Sequence, residues 1–152
     1  MDISTTFLRW AKVVCRLHTM KWTLERFLTF ISALTLFGFG IWLFAVPSAL
    51  AGIGIALEGP TARIDVRATY GGFELGVSAF LFLCVARSQW TRVGLVASGF
   101  AIAGFGFGRL GGIILEGGAE PLMWVFLGLE VALTAVIVAV LWRTRSAPRA
   151  PE

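Results

Sequence analysis

Four apolar stretches, each about as long as a bilayer is thick, dominate this 152-residue chain. A hydrocarbon core of ~30 Å is crossed by about 20 helical residues rising 1.5 Å each. Residues 27–46 carry no charge at all. Residues 68–86 are apolar except for Glu74, residues 93–115 except for Arg109, and residues 121–142 except for Glu130. In lipid every backbone polar group must be satisfied within its own segment, so spans of this length are helices. The links at 87–92 and 116–120 are short, which makes consecutive helices antiparallel neighbours. The expected fold is all-α: an integral membrane four-helix up-down bundle over residues 27–145. Only 14% of the residues are charged, against about 25% in a soluble domain.

The flanks differ from this core. Residues 1–26 are basic, and Arg9, Lys12 and Arg16 share one helical face at spacings of three and four. That pattern suits a short amphipathic helix lying on the cytoplasmic leaflet, its cations toward anionic lipid. Met20 offers a second translation start beside Met1, and the sequence does not choose between them. Residues 146–152 hold two prolines and are expected to be a disordered tail. In the longest link, residues 47–66, Ser48 is placed to cap a short helix.

The net charge of +4 raises nucleic acid as a partner, but its distribution argues for membrane topology instead. Arg9, Lys12, Arg16, Lys21 and Arg26 precede the first span. Arg87 and Arg92 separate the second from the third, and Arg143, Arg145 and Arg149 follow the fourth. Arg63, Arg67 and Arg109 belong to the other side. The positive-inside rule then puts both termini in the cytoplasm. Cys15 and Cys84 both fall toward that reducing side, with no CxxC spacing, so no disulfide chemistry is expected. His18 stands alone. No metal site and no cofactor are expected, and no phosphate-cradling loop is present.

The three charges inside the spans carry most of the functional information. Ionisable groups in hydrocarbon are costly and face the interior of a helical bundle, as ion pairs or as functional sites. At 100° per residue Arg67, Tyr70 and Glu74 share a stripe, with Gly72 and Gly76 opposite it. In the third span Gly104, Gly108 and Gly112 recur every four residues beside Arg109. Small residues at that spacing let a second helix approach closely, so these five glycines are expected to seat neighbouring helices. Glu74 lies seven residues beyond Arg67, and Arg109 lies seven before Glu116, roughly 10 Å in each case. Glu130 lies nine residues beyond Pro121, roughly 13 Å. The three charges therefore share one depth in the outer half of the membrane. One arginine against two carboxylates leaves one carboxylate unbalanced, and the sequence does not say which glutamate Arg109 takes. Trp42, Phe73, Phe105 and Trp124 are candidate walls for an apolar cavity beside the cluster. The motif Phe-Gly-Phe-Gly occurs twice, at 37–40 and 105–108, a faint sign of internal duplication.

The run Asp65-Val-Arg67-Ala-Thr-Tyr70-Gly71-Gly72, together with Arg109-Leu-Gly-Gly112 and Glu116-Gly117, resembles an uncharacterised family of small four-helix bacterial membrane proteins allied to the DoxX-like group. The likeness spans about residues 22–145. It implies a multi-pass protein of the bacterial inner membrane. DoxX relatives are associated with membrane oxidoreductase complexes and quinone-linked thiol chemistry, but their redox cysteines have no counterpart here.

The expected function is non-catalytic: binding of a lipid-like ligand, or service as an accessory subunit of a membrane complex. The expected partners are the lipid bilayer, a lipid or quinone-like ligand, and a membrane protein or a second copy of the chain, with no nucleic acid. The alternative is a membrane enzyme transferring protons on a lipid or quinone, with Glu74 or Glu130 as acid and base and Arg109 stabilising an anion. Whether the chain is an enzyme stays open, leaning against. The candidate cluster is Arg67, Tyr70, Glu74, Arg109 and Glu130.

Overall fold

The computed structural model describes residues 22–145 and is helical throughout its regular elements. The expected leader helix lies largely outside the described residues, as do Cys15, His18 and the tail from 146. Five α-helices are present among those residues: α1 (Leu24–Ala45), α2 (Gly59–Val66), α3 (Phe73–Ala86), α4 (Thr91–Leu115) and α5 (Pro121–Arg145). A π-helical turn, Arg67–Gly72, joins α2 to α3 without a break. Four segments are long and apolar enough to cross a membrane: Leu24–Ala45, Gly59–Ala86, Ser88–Leu115 and Pro121–Thr144.

Local chemistry sets most of the helix ends. Thr23 caps α1, its Oγ1 accepting the Arg26 amide at 3.3 Å. Glu25 sits in that first turn, where the positive end of the helix dipole favours an acid. Arg26, assigned from sequence to the leader, is already helical and buried. The helix stops before Pro47, which begins a 3-10 turn over Pro47–Ile53. Val46 occupies the N-cap there, with no side-chain cap, so Ser48 does not play the capping role expected of it. At the far end of α4, Gly117 takes φ 73°. Its amide reaches Ile114 O and that of Gly118 reaches Ile113 O at 3.1 Å, the paired closure that a left-handed glycine allows.

The second span starts at Gly59, earlier than the expected 68. Arg63, Asp65 and Arg67 interrupt the apolar run, but a helix need not end where apolarity ends. Pro60 supplies the fixed φ of a first helical residue, and the chain stays helical from there.

Contacting residues show how the long helices run. Along α1 and the π-helical turn with α3, Phe44 meets Gly71, Gly40 meets Leu75, and Phe30 stacks edge-on against Phe82. One number rises as the other falls, so the pair is antiparallel. Along α4 and α5, Gly99 meets Ile137 and Gly106 meets Glu130, again antiparallel. α1 packs chiefly on α3 and more lightly on α4, while α5 packs chiefly on α4. Leu43, Leu50 and Val66 form one apolar cluster; Leu95, Ile137 and Val140 form another.

The close approaches fall at glycines other than those expected. A Cβ on Gly71 would lie 2.8 Å from the Phe44 Cβ, and one on Gly94 would lie 2.6 Å from the Cys84 Cβ. A Cβ on Gly40 would come within 3.0 Å of Leu75. By contrast, Gly76, Gly104, Gly108 and Gly112 have nothing within 4 Å of such an atom, and Gly72 meets only its own helix, Arg67 O at 3.5 Å. The physical reason is rotational. The buried face of the second span carries Gly71, Glu74, Ser78, Leu81 and Val85, so the stripe bearing Glu74 is itself the packing face. Gly72 and Gly76 point away from it. The two Phe-Gly-Phe-Gly motifs also differ: Gly40 is wedged against α3, whereas its counterpart Gly108 is open.

Candidate functional site

Arg109 and Glu130 form a forked ion pair between α4 and α5. Arg109 Nη2 donates to Glu130 Oε1 at 2.8 Å, and Nε donates to Oε2 at 3.1 Å and to Oε1 at 3.2 Å. The planar guanidinium suits this two-point grip, which fixes orientation as well as charge. The third nitrogen, Nη1, donates to the sulfur of Met123 at 3.2 Å, and the guanidinium stands 5.1 Å from the ring centre of Phe126. Gly106, one turn before Arg109, gives the carboxylate its room: a Cβ there would lie 3.5 Å from Glu130 Cβ. Met123, Phe126 and Glu130 share the α5 face at spacings of three and four, a signal that sequence inspection passed over.

Glu74 stands apart. It is 8% exposed, and its Oε2 is buried with no hydrogen-bond partner among the described residues. No ion pair joins it to Arg109 or Arg67 among those residues. Glu74 is among the residues that line a groove of about 340 Å³ between α3 and α4. From α3 come Phe73 and Val77; from α4 come Phe100, Ala101, Gly104 and Phe105; Leu36 is contributed by α1. Among the described residues Glu74 is the one ionisable residue in that lining. Of the four aromatic walls expected from sequence, Phe73 and Phe105 line the groove; Trp42 and Trp124 do not. The open space at Gly104, which no helix among the described residues fills, belongs to the groove.

The remaining members of the expected cluster are placed elsewhere. Arg67 Nε donates to Phe44 O at 3.0 Å. Phe44 lies in the last turn of α1, whose carbonyls lack partners within the helix, so Arg67 closes that helix end. Tyr70, in the π-helical turn, is 41% exposed. At the opposite end of the helices a further connection was not anticipated. Arg92 donates from Nη1 to Thr144 Oγ1 at 3.1 Å and from Nη2 to Leu141 O at 3.4 Å. Its Nη1 also lies 3.9 Å from Glu25 Oε1, so one arginine links α1, α4 and α5. Among the described residues, no three His, Cys, Asp or Glu side chains converge as a metal ion would need.

The family described as Domain of unknown function (DUF4345) matches residues 24–142, from the first residue of α1 to near the end of α5. The chain belongs to this family. The match covers both the ion pair and the groove, so the whole candidate site of this DUF4345 protein lies within the shared domain. No curated protein and no solved structure matches the chain.

Proposed function

We propose that this DUF4345 protein is a multi-pass protein of the bacterial inner membrane that holds a lipid-like ligand beside Glu74 without reacting it. It is an up-down four-helix bundle, allied to the DoxX-like group, with both termini in the cytoplasm. The observation that carries the ligand reading is Glu74 itself. A carboxyl group buried in an apolar wall with an unsatisfied oxygen is costly unless something binds there. The groove supplies apolar surface, and Glu74 supplies one polar anchor, which is the usual composition of a small-molecule site. Arg87, Arg92 and Arg143 at one end, against Arg63 and Arg67 at the other, support the cytoplasmic placement of the termini.

The enzyme alternative is less well supported. Glu130 and Arg109 occupy each other, which leaves Glu74 with no second acid or base in the groove lining. The accessory-subunit reading keeps one observation in its favour. Gly108 and Gly112 present open small-residue positions on α4 that no helix among the described residues fills, so a partner helix or a second copy has room to approach.

Photolabelling with a diazirine-bearing fatty alcohol tests the ligand reading on full-length protein in lipid nanodiscs. Saturable labelling is expected on peptides containing Phe73–Val77 and Phe100–Phe105. It should be lost in Gly104→Leu, where the added side chain fills the groove. Labelling spread evenly over every apolar face, and unchanged in Gly104→Leu, would refute it.

A further inference from the structure

We infer that the groove selects an apolar organic cation, an amine or quaternary ammonium on a hydrocarbon body, over neutral or anionic amphiphiles of the same size. This rests on the reading of the groove as a ligand site and adds the ligand's charge. Three observations carry it together. First, Glu74 is over nine-tenths buried, its Oε2 has no hydrogen-bond partner among the described residues, and Glu74 is one of the residues lining the groove. Second, among the described residues no cationic side chain shares that lining. The arginine nearest in depth, Arg109, is spent on Glu130 through three contacts. An incoming phosphate, sulfate or carboxylate would therefore meet a carboxyl group with nothing to neutralise it. Third, Phe73, Phe100 and Phe105 line the same groove as Glu74. The negative faces of aromatic rings attract a cation, most strongly where water is excluded.

A cation satisfies all of these elements at once. It pairs with the buried carboxylate, it stacks against the phenylalanines, and its hydrocarbon body covers Leu36, Val77 and Ala101. A neutral carbonyl compound, an acceptor only, would make no hydrogen bond to the carboxylate and would leave the ring faces without a charge partner. Glu74 lies fifteen residues from Gly59 and twelve from Ala86, the ends of the second span, about 22 Å and about 18 Å at 1.5 Å per residue. A choline or ethanolamine headgroup anchored at the membrane surface is too far away, so the ligand is a free amine dissolved in the bilayer.

Equilibrium binding of benzyltrimethylammonium tests this on full-length protein in maltoside micelles, which carry no ammonium groups. Neopentylbenzene serves as its neutral isostere and benzenesulfonate as an anion of similar size. Saturable binding of the cation is expected. Glu74→Gln, which keeps shape and removes charge, should weaken it roughly tenfold or more, the loss of one charge-assisted contact. Gly104→Leu, at a position with free space around it, should abolish binding while leaving the fold and Glu74 intact. Helix content and monodispersity of both variants are checked by circular dichroism and gel filtration. Phosphatidylcholine added to the micelles should leave the affinity unchanged.

Four results would overturn the inference. They are equal affinity in Glu74→Gln, binding of the neutral or anionic probe as tight as the cation, no saturable binding of the cation, or displacement by phosphatidylcholine. If the neutral probe binds and is lost in Gly104→Leu but not in Glu74→Gln, the groove remains a ligand site and only the charge assignment falls. If no probe responds to Gly104→Leu, the groove reading falls with it.

Discussion

Replacing Glu130 with alanine isolates the energetic role of the clasp between α4 and α5. The substitution removes both carboxylate oxygens and leaves Arg109 with only the Met123 sulfur and the Phe126 ring. Breaking one side of a fully buried ion pair costs ~3–5 kcal/mol. Here 24% of the Arg109 side chain and 15% of the Glu130 side chain remain exposed, which lowers that figure. Polar contacts between membrane helices average about 0.6 kcal/mol each, because the unfolded chain also finds partners within the membrane. Three such contacts come to about 2 kcal/mol, and the uncompensated guanidinium adds to that, so the expected loss is about 2–4 kcal/mol. Changing both partners together, Arg109→Met with Glu130→Leu, removes the charges along with the contacts. The double variant is expected to recover to within about 1 kcal/mol of the unaltered protein. Reversible unfolding in mixed micelles, titrated with dodecyl sulfate and followed by circular dichroism, gives the four stabilities of this cycle. A loss under about 0.5 kcal/mol for Glu130→Ala, or a double variant as damaged as the sum of the two single changes, would refute the clasp.

Other perturbations probe the packing and the topology. Gly71→Ala sets a Cβ 2.8 Å from that of Phe44 and is expected to cost about 1–3 kcal/mol through overpacking. Gly76→Ala has free space around it and should be neutral or stabilising by up to about 1 kcal/mol through helix propensity; the same unfolding titration separates the two. Arg92→Ala removes a link among three helices that is partly exposed, and a loss of about 1 kcal/mol is expected. With Cys15 and Cys84 replaced by alanine, single cysteines introduced at Gly118 and at Gln89 should react with an impermeant maleimide from opposite sides of the membrane, Gly118 from outside.

Much of this architecture is legible in the sequence because its signal is large. Some twenty apolar residues in a row leave few alternatives to a spanning helix, and the four observed segments overlap the four expected ones. The start of the second span was not legible. Arg63, Asp65 and Arg67 look like a boundary, but Gly59 and Pro60 set the helix start, and the charges ride on its first turns. Helix rotation was the other missing quantity. Counting residues gives depth, and depth brought Arg109 within reach of either glutamate. Which one it meets depends on how α3 and α5 are turned about their axes. Gly106 opens space toward α5 for Glu130, while Gly71 seats α1 against the Glu74 face of α3. Glycine spacing was misleading for the same reason: a repeat every four residues marks a smooth face without saying whether a helix, a groove or lipid lies against it. At Gly104 it was a groove.

The central claim is that the two glutamates within the apolar helices differ, Glu130 being clasped by arginine and Glu74 lining an apolar groove with no ion-pair partner among the described residues. Dicyclohexylcarbodiimide tests this directly, because it is an apolar reagent that enters membranes and captures accessible carboxyl groups as stable acylureas. Treatment of the protein in its membrane, followed by peptide mass spectrometry, should find the modification on Glu74 and not on Glu130. The modification should disappear in Glu74→Gln. Comparable labelling of Glu130, or labelling of neither glutamate, would contradict the account.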